Sequence, residues 1–344
     1  MSAASASGHR AVANWLLLCA GMVFVMAIIG AITRLTESGL SITEWKPITG
    51  ALPPLNEAQW LAEFEKYKQI PEYQILNRGM GLEDFKQIFF WEWFHRLWGR
   101  LIGVVFALPL AWFAVKGQVT RAMLPKLVGL FLLGGLQGFI GWFMVQSGLS
   151  VRTDVSHYRL AMHLAMALIL YALLIQAGLG MRHPGAIHRP ERDDLRRHGW
   201  AAMALVSVTV VWGAFVAGLD AGFAYNTWPL MNGDFAPPEM WTLSPGWLNL
   251  LENTAAVQFT HRWLAIVTAL AILSYAWRVG QRADLPDVAK SAALWLALGI
   301  GGQVVLGITT LLHMVPVPLG AAHQGGALVV IALLIRSIHT LRRG

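Results

Sequence analysis

Eight long runs of apolar residues follow one another along the chain, and polar segments separate them. A helix needs about 20 mainly apolar residues to cross the hydrocarbon core of a bilayer, and lipid leaves no water to pair with open backbone groups. The pattern therefore predicts an all-α integral membrane protein with eight transmembrane helices. The predicted spans cover residues 12–33, 93–115, 125–146, 157–181, 199–218, 256–278, 290–312 and 319–338.

The composition supports a membrane protein and excludes other classes. Of the 344 residues, 56% are hydrophobic and 13% are charged, and the mean hydropathy is +0.52, which leaves too little polar surface for a soluble fold. The net charge of +7 does not indicate nucleic-acid binding, because the basic residues lie in short connections between apolar runs. The only cysteine, Cys19, lies in the first run, which excludes an intrachain disulfide and a cysteine-ligated metal site.

The distribution of Lys and Arg predicts the orientation in the membrane. Alternate connections are rich in basic residues, whereas the opposite short connections carry almost none apart from Arg152 and Arg159. By the positive-inside rule both termini are then expected in the cytoplasm, or in the matrix of a mitochondrion. The polar segment 1–10 is too short for an Arg-rich transit peptide, and no cleavage site follows the first run, so we expect that run to remain as a span. The expected location is a bacterial inner membrane.

Two longer segments are predicted on the outer side. Within 34–90, Asn56 and Glu57 indicate the capped start of an amphipathic helix on the membrane surface. Its apolar and aromatic residues are Trp60, Leu61, Phe64 and Tyr67. Residues 82–90 are predicted to form a second short helix that runs into the second span. The segment 219–255 is rich in Trp, Pro and Asn, which is typical of an aromatic belt at the interface.

The chain is predicted to be an internal duplication. His95-Arg96 in the first half recurs as His261-Arg262 in the second. Other pairs that match at equal or similar offsets are Gln137 with Gln303, Gly141 with Gly307, His163 with His323, Gly39 with Gly222, Trp45 with Trp228, and Pro53-Pro54 with Pro237-Pro238. The pattern predicts two four-helix bundles, 1–181 and 199–344, joined by a cytoplasmic linker, 182–198. Because each unit has an even number of spans, the units are parallel repeats.

Four histidines lie near the starts of even-numbered spans: His95, His163, His261 and His323. These spans all run inward, so the histidines are expected at similar depth near the periplasmic face. A single intramembrane histidine is most simply a hydrogen-bonding residue, but four at repeat-related positions favour function. Two facing neutral imidazoles in a four-helix bundle can ligate a heme iron. The pattern predicts two heme pockets, one in each half.

Charged neighbours suggest different roles for the two pockets. Arg96 and Arg262 could pair with heme propionates or, equally well, snorkel toward lipid headgroups. Glu92 lies one helical turn before His95 and corresponds to Gln258 in the second half. A carboxylate can exchange protons and an amide cannot, so we assign chemistry to the first half and electron transfer or structure to the second. The alternative for Glu92 is a structural ion pair with Arg96.

The chain resembles the heme A synthase family, membrane enzymes of the cytochrome oxidase assembly pathway. The resemblance extends over nearly the whole chain and rests on the duplicated eight-span plan, the four histidines and the motif Glu92-x-x-His95-Arg96. It also rests on the first outer segment, which contains Thr33-Arg34-Leu35-Thr36-Glu37-Ser38-Gly39-Leu40, Trp45-Lys46-Pro47, Gly50 and Pro53-Pro54. This segment lacks the cysteine pair of some bacterial members, so the chain is more similar to the proteobacterial and mitochondrial branch.

The resemblance implies a reaction and a set of ligands. Members oxidise the C8 methyl group of heme O to the formyl group of heme A, by two hydroxylations and a loss of water. A heme b would be held by His261 and His323, and the substrate heme would lie near His95 and His163 with Glu92 as the catalytic carboxylate. The implied partners are heme O synthase, cytochrome oxidase assembly factors and an electron acceptor that the sequence does not identify.

Two other functions share part of this pattern. A diheme membrane cytochrome that exchanges electrons with quinone would use the same histidines, but it has no evident need for the contrast between Glu92 and Gln258. Such a carrier would also place its hemes at opposite faces. A transporter with a histidine proton relay fits the parallel repeat but not the shared depth of the histidines.

The Gly-rich spans permit close helix packing and self-association.

Overall fold

A computed structural model describes the backbone of residues 3–47, 49–183 and 189–342, with side chains described from Gly8 onward in these ranges. The described residues form α-helices and short 3-10 turns and contain no β-strand longer than an isolated bridge. The helices are α1 (Ala3–Leu35), α2 (Glu57–Tyr67), α3 (Pro71–Ile75), α4 (Leu82–Val115), α5 (Leu124–Val145), α6 (His157–Arg182), α7 (Asp193–Gly218), α8 (Asn249–Glu252), α9 (Thr254–Gln281), α10 (Asp287–Leu312) and α11 (Val317–Thr340).

Eight of the described helices are long and apolar enough to cross a membrane: α1, α4, α5, α6, α7, α9, α10 and α11. The predicted all-α membrane fold with eight spans is therefore confirmed. The helix predicted over residues 82–90 is confirmed, and it continues into the second span without a break, so that both form α4. Glu83 and Asp84 in the first turn suit the positive end of the helix dipole, which allows α4 to begin well before its apolar part.

The membrane helices form two groups with the same order of neighbours. In the first group α1 contacts α4 and α6, and α5 contacts the same two helices; in the second group α7 contacts α9 and α11, and α10 contacts the same two. The groups meet where α1 packs against α11 and where α6 packs against α7 and α11. The boundary between the halves stays a prediction, and part of the predicted linker 182–198 lies outside the described residues.

The largest hydrophobic core extends through both groups and includes residues of all eight membrane helices. It includes fully buried Leu16 and Cys19 of α1, Ala202 of α7, Tyr275 of α9 and Leu334 of α11. The Tyr275 hydroxyl lies 3.1 Å from the Ser337 hydroxyl, so the buried polar group has a partner. Large apolar side chains on the other faces remain exposed, as expected for helices that face lipid.

The first outer segment folds back onto the start of α4. The capped helix predicted after Asn56 is confirmed as α2, and the Asn56 side chain accepts a hydrogen bond from the backbone N–H of Gln59 at 3.0 Å. Aromatic rings join the segment to α4; the ring centroids of Phe64 and Phe85 are 4.9 Å apart. The short helix α3 was not predicted. The packing places this segment directly beside Glu92.

Arg34 joins the two halves at the same end of the molecule. Its guanidinium lies 2.8 Å from Asp154, in the connection between α5 and α6, and 3.0 Å from Asp220, which follows α7. It also donates a hydrogen bond to the Ala217 carbonyl at 2.8 Å. The Arg34 side chain therefore links a connection of the first half to one of the second half.

Candidate heme site at four histidines

The structure brings the four predicted histidines together as two pairs. His95 of α4 and His163 of α6 lie within electrostatic range of each other, and so do His261 of α9 and His323 of α11. All four side chains are partly exposed although they lie inside the helix bundles, so space remains beside each imidazole. His163 and His323 are each the seventh residue of their helices and His261 is the eighth, which gives three of the ligands matching positions.

Each imidazole packs against a glycine of a neighbouring helix. A Cβ atom on Gly141 or Gly307 would lie 2.8 or 2.7 Å from the Cε1 atom of His163 or His323. A Cβ atom on Gly213 would lie 3.1 Å from Cε1 of His261, and one on Gly30 would lie 3.3 Å from Nε2 of His95. The four glycines form two repeat-related pairs, Gly30 with Gly213 and Gly141 with Gly307. A larger residue at Gly141 or Gly307 would therefore force the imidazole to move, whereas at Gly213 or Gly30 a shift of a few tenths of an ångström would make room.

Hydrogen bonds fix the orientation of three of the rings. Gln137 Nε2 lies 3.1 Å from His163 Nδ1 and donates to the His163 carbonyl, and Gln303 makes the same two contacts with His323. His261 Nδ1 lies 3.1 Å from the Thr209 carbonyl, so this nitrogen is the donor and Nε2 remains a lone-pair ligand. The Thr209 contact is typical of an imidazole that binds a metal through its other nitrogen, because the Nδ1–H donates to a carbonyl oxygen.

The donor set fits a heme better than a bare metal ion. Across the part of the chain that the structure describes, no group of three or more His, Cys, Asp or Glu side chains is arranged to hold a metal. A heme supplies four ligands itself and needs only two axial imidazoles. Two imidazole pairs, each set against glycine, therefore match two heme sites.

Glu92 is bound to the outer segment of its own half. Its Oε1 atom lies 2.6 Å from Arg96, and its Oε2 atom accepts hydrogen bonds from the Ser41 hydroxyl at 2.8 Å and the Ile42 N–H at 2.7 Å. Arg96 also donates to the carbonyls of Ile42 and Glu44. Only 4% of the Glu92 side chain is exposed, so its charge is held by these donors and not by water.

The second half repeats this arrangement without the charge. Arg262 donates to Gln258 Oε1 at 3.0 Å and to the carbonyls of Tyr225 and Thr227, which are the repeat counterparts of Ile42 and Glu44. Gln258 Nε2 donates to the carbonyls of Ala221 and Tyr225. Both arginines therefore bind loop backbone, and the predicted propionate contacts stay a prediction.

Comparison with known proteins decides the family. The model of the family described as cytochrome oxidase assembly protein, COX15-CtaA, matches residues 13–335. The chain belongs to this family. A heme A synthase of Rhodospirillum centenum is 68% identical over 341 residues, which cover 98% of this chain and 90% of that protein. Heme A synthases of Azorhizobium caulinodans and Parvibaculum lavamentivorans are 49% and 46% identical, and each match covers 98% of this chain and at least 96% of the relative.

Membership of the COX15-CtaA family confirms the family predicted from the histidines and the Glu92 motif. Sequence reasoning missed several residues of the site, among them Gly30, Gly213 and Thr209. The offset that relates Gly39 to Gly222 in the outer segments also relates Gly30 to Gly213, so extension of the repeat into the first and fifth spans would have found this pair. No such signal marks Thr209, which contributes only its backbone carbonyl.

Proposed function

We propose that this protein oxidises heme O to heme A, the activity that its relatives' name states. We also propose that the first half carries out the oxidation and that the second half holds a resident heme. The observation that carries the proposal is the pair of repeated histidine sites, each with its glycine and glutamine neighbours, of which only the first has a buried carboxylate. A protein in which both hemes had the same role would not need a carboxylate at Glu92 and an amide at the corresponding Gln258.

In this proposal the second half holds a heme b between His261 and His323. The Thr209 carbonyl and the Gln303 side chain hold these rings in place, and the second half lacks an ionisable group at the position of Glu92. A resident heme supplies one-electron redox chemistry. The residues around it bind and orient it, and Arg262 fixes the outer connection above it.

The first half binds the substrate heme O at His95 and His163, and the product is heme A. Glu92 acts there as the catalytic carboxylate, and its Oε2 atom takes up or releases a proton as the methyl group is oxidised. Arg96 holds Oε1 at 2.6 Å and so keeps the carboxylate oriented. Ser41, whose hydroxyl is bound to Oε2, provides a neighbour that can pass a proton on.

The orientation follows from the basic connections. Both termini lie in the cytoplasm of the bacterial cell, and the two histidine pairs lie near the periplasmic face. Heme O synthase would supply the substrate, cytochrome oxidase assembly factors would receive the product, and a separate acceptor would take the electrons. The two halves extend over 1–181 and 199–344.

The test of this division is the variant Glu92→Gln, expressed with an adequate supply of heme. We expect heme A to fall about 100-fold or more, the usual contribution of a proton-transferring side chain, while heme O accumulates and the heme b spectrum persists. Hemes extracted from the purified protein are identified by chromatography and mass. The matched control is Glu83→Gln, because Glu83 lies on the same helix with 81% of its side chain exposed.

Normal heme A content in Glu92→Gln would remove Glu92 from the mechanism. Heme b alone, at two per chain in the unmodified protein, would instead favour the diheme cytochrome that exchanges electrons with quinone. The two outcomes are distinct because the first keeps the product and the second never contains it.

A further inference from the structure

The line along which α4 faces α5 is packed more loosely than its counterpart in the second half. We call this line the α4–α5 seam; it extends over residues 95–106 of α4 and 131–142 of α5. Helices α9 and α10, which hold the corresponding places, pack against each other much more extensively than α4 and α5 do. The two halves therefore share their histidines but differ in how tightly this pair of helices closes.

An aromatic pair closes one end of the seam, and open space follows it. The rings of Phe106 and Phe131 lie nearly parallel, at 18°, with centroids 6.0 Å apart. Gly103 and Gly134 come one helical turn nearer the histidines, on the same sides of the two helices. Apart from adjoining residues and the backbone of the same helix, no described atom comes within 4 Å of a Cβ placed on either glycine. The two glycines therefore leave a gap beyond the aromatic pair.

The second half fills the corresponding seam with side chains. The offset that relates the glutamines of the two histidine sites also relates Gly134 to Ile300 and Gly103 to Ala269. Only 5% of Ile300 is exposed, because its side chain belongs to the largest hydrophobic core. Ala269 packs against the same core. The same position in the fold is thus open in the first half and filled in the second.

The first outer segment covers the other end of the seam. The ring centroids of Trp45 in this segment and Trp142 of α5 are 6.4 Å apart. Arg96 and Arg100 of α4 donate hydrogen bonds to backbone carbonyls of the same segment, and the bond from Arg100 to Pro47 is 2.7 Å long. The gap is therefore bounded at both ends and opens sideways, where large apolar side chains of both helices are exposed.

The gap leads to the histidine pair of the first half. On α4, His95 lies about two turns beyond Gly103, and on α5, Gly141 lies about two turns beyond Gly134 and packs against His163. In the described part of the chain the other three imidazoles are hydrogen-bonded, but no hydrogen bond holds the His95 ring. This ring is therefore available to a ligand that arrives and departs.

A substrate enters and leaves its site in every turnover, whereas a resident heme stays. The apolar faces of a porphyrin favour hydrocarbon over water, and the gap opens toward hydrocarbon. We propose that heme O enters the first half sideways from the bilayer through the α4–α5 seam, and that heme A leaves by the same route. The filled seam between α9 and α10 retains heme b in the second half. This inference rests on the binding of heme O proposed at His95 and His163.

The first test fills the gap with the residue of the second half, in Gly134→Ile. The full-length protein with its heme b is placed in phosphatidylglycerol vesicles that contain heme O and no electron acceptor. We expect the rates of heme O binding and release each to fall about tenfold while Kd stays within about twofold, because a barrier on the route slows both directions alike. Stopped-flow absorption measures the rates, and an equilibrium titration measures Kd.

The matched control for this test is Gly129→Ile, on the same helix. Gly129 corresponds to Trp295 of the second half, which is exposed, so a large side chain here faces lipid and should leave both rates unchanged. Unchanged rates in Gly134→Ile would overturn the proposal. A weaker Kd with an unchanged binding rate would also contradict it, because that result would mean that the isoleucine distorts the site and does not block the route.

The converse variant Ile300→Gly provides an independent measurement if Gly134→Ile does not accumulate. It opens the seam between α9 and α10, and we expect heme b to pass to added apomyoglobin about tenfold faster than from the unmodified protein, because release is no longer obstructed. The control Leu298→Gly also places a glycine in α10, but Leu298 is exposed, so heme b should remain bound. No faster loss from Ile300→Gly, or an equal loss from the control, would contradict the proposed role of the seam.

Failure of the proposed function is distinguishable from failure of this route. If the unmodified protein binds heme O but forms no heme A when electrons are accepted, the proposed activity is wrong, and the binding and release rates still test the route. If heme A forms normally and Gly134→Ile exchanges heme O at the unmodified rates, the route is wrong and the activity stands.

Discussion

A single atom distinguishes the two halves where α4 and α9 meet their outer connections. Glu92 Oε2 accepts hydrogen bonds from the Ser41 hydroxyl and the Ile42 N–H, whereas Gln258 Nε2 donates to two backbone carbonyls. The hydrogen-bonding groups of each connection therefore match the side chain they contact: O–H and N–H donors face the Glu92 carboxylate, and carbonyl acceptors face the Gln258 amide. A glutamine at 92 would direct its amide N–H either at the N–H of Ile42 or at Arg96, at a cost of about 1–3 kcal/mol for an unsatisfied buried group.

At the residue scale we predict that His261→Ala and His323→Ala each lose the heme b spectrum. An imidazole is needed on both sides of the iron for a low-spin six-coordinate heme, and alanine offers no ligand. Visible absorption spectra of the reduced proteins measure the result. The control is His313→Ala, whose side chain is exposed at the end of α10. A retained low-spin spectrum in both variants would show that the ligands of this heme are wrongly assigned.

At the scale of elements, glycines set how closely a helix approaches each imidazole. The contacts occur between α5 and α6 and between α10 and α11, where Gly141 and Gly307 face the histidines. Gly138 and Gly301 lie on the same helices but face open space, because no atom comes within 4 Å of a Cβ placed on either. Close approach is therefore limited to particular glycines of these stretches, which include Gly299 against Leu333 as well as the two that face the histidines.

We predict that Gly307→Ala displaces His323 and reduces bound heme b about tenfold or more, while Gly141→Ala reduces heme A formation and leaves heme b in place. A methyl group 2.7 or 2.8 Å from an imidazole carbon forces a shift that costs about 1–3 kcal/mol. Heme b per chain and extracted heme A measure the two effects. The controls Gly301→Ala and Gly138→Ala should retain both, and equal losses in controls and test variants would refute the proposed role of these glycines.

At the scale of the molecule, Arg34 forms ion pairs that connect the two halves. Its side chain is 14% exposed, and it pairs with Asp154 and Asp220 from different halves. Burial raises the pKa of Asp154, and the charge of Arg34 opposes that rise. The pairs resemble a partly buried network more than isolated surface ion pairs, which contribute little on their own.

We predict that Arg34→Ala lowers the free energy of unfolding by about 1–3 kcal/mol, because it leaves a partly buried carboxylate without its cation. Arg34→Lys should recover part of the loss, since an ammonium keeps the charge but not the two-sided geometry. Thermal unfolding midpoints measure the effect. Arg78→Ala is the control because Arg78 is exposed, and an equal shift in that variant would mean that Arg34 has no special role in joining the halves.

The eight membrane helices, the repeated positions and the four histidines can be predicted from the amino-acid sequence. These features are local or periodic, since about 20 apolar residues specify a span whatever surrounds them, and the capping residue Asn56 specifies the start of α2. The family also followed from motifs within short stretches of chain.

Contacts between residues that are far apart in the sequence depend on how the helices and connections pack. Glu92 contacts Ser41 and Arg34 contacts Asp220, although the residues of each pair are well separated in sequence. From the sequence alone Glu72 would be predicted on the surface of a polar segment. It is buried in the structure, because burial depends on how this segment folds onto the rest of the chain. The physical reason is that proximity and desolvation are set by packing between elements, and no local pattern encodes them.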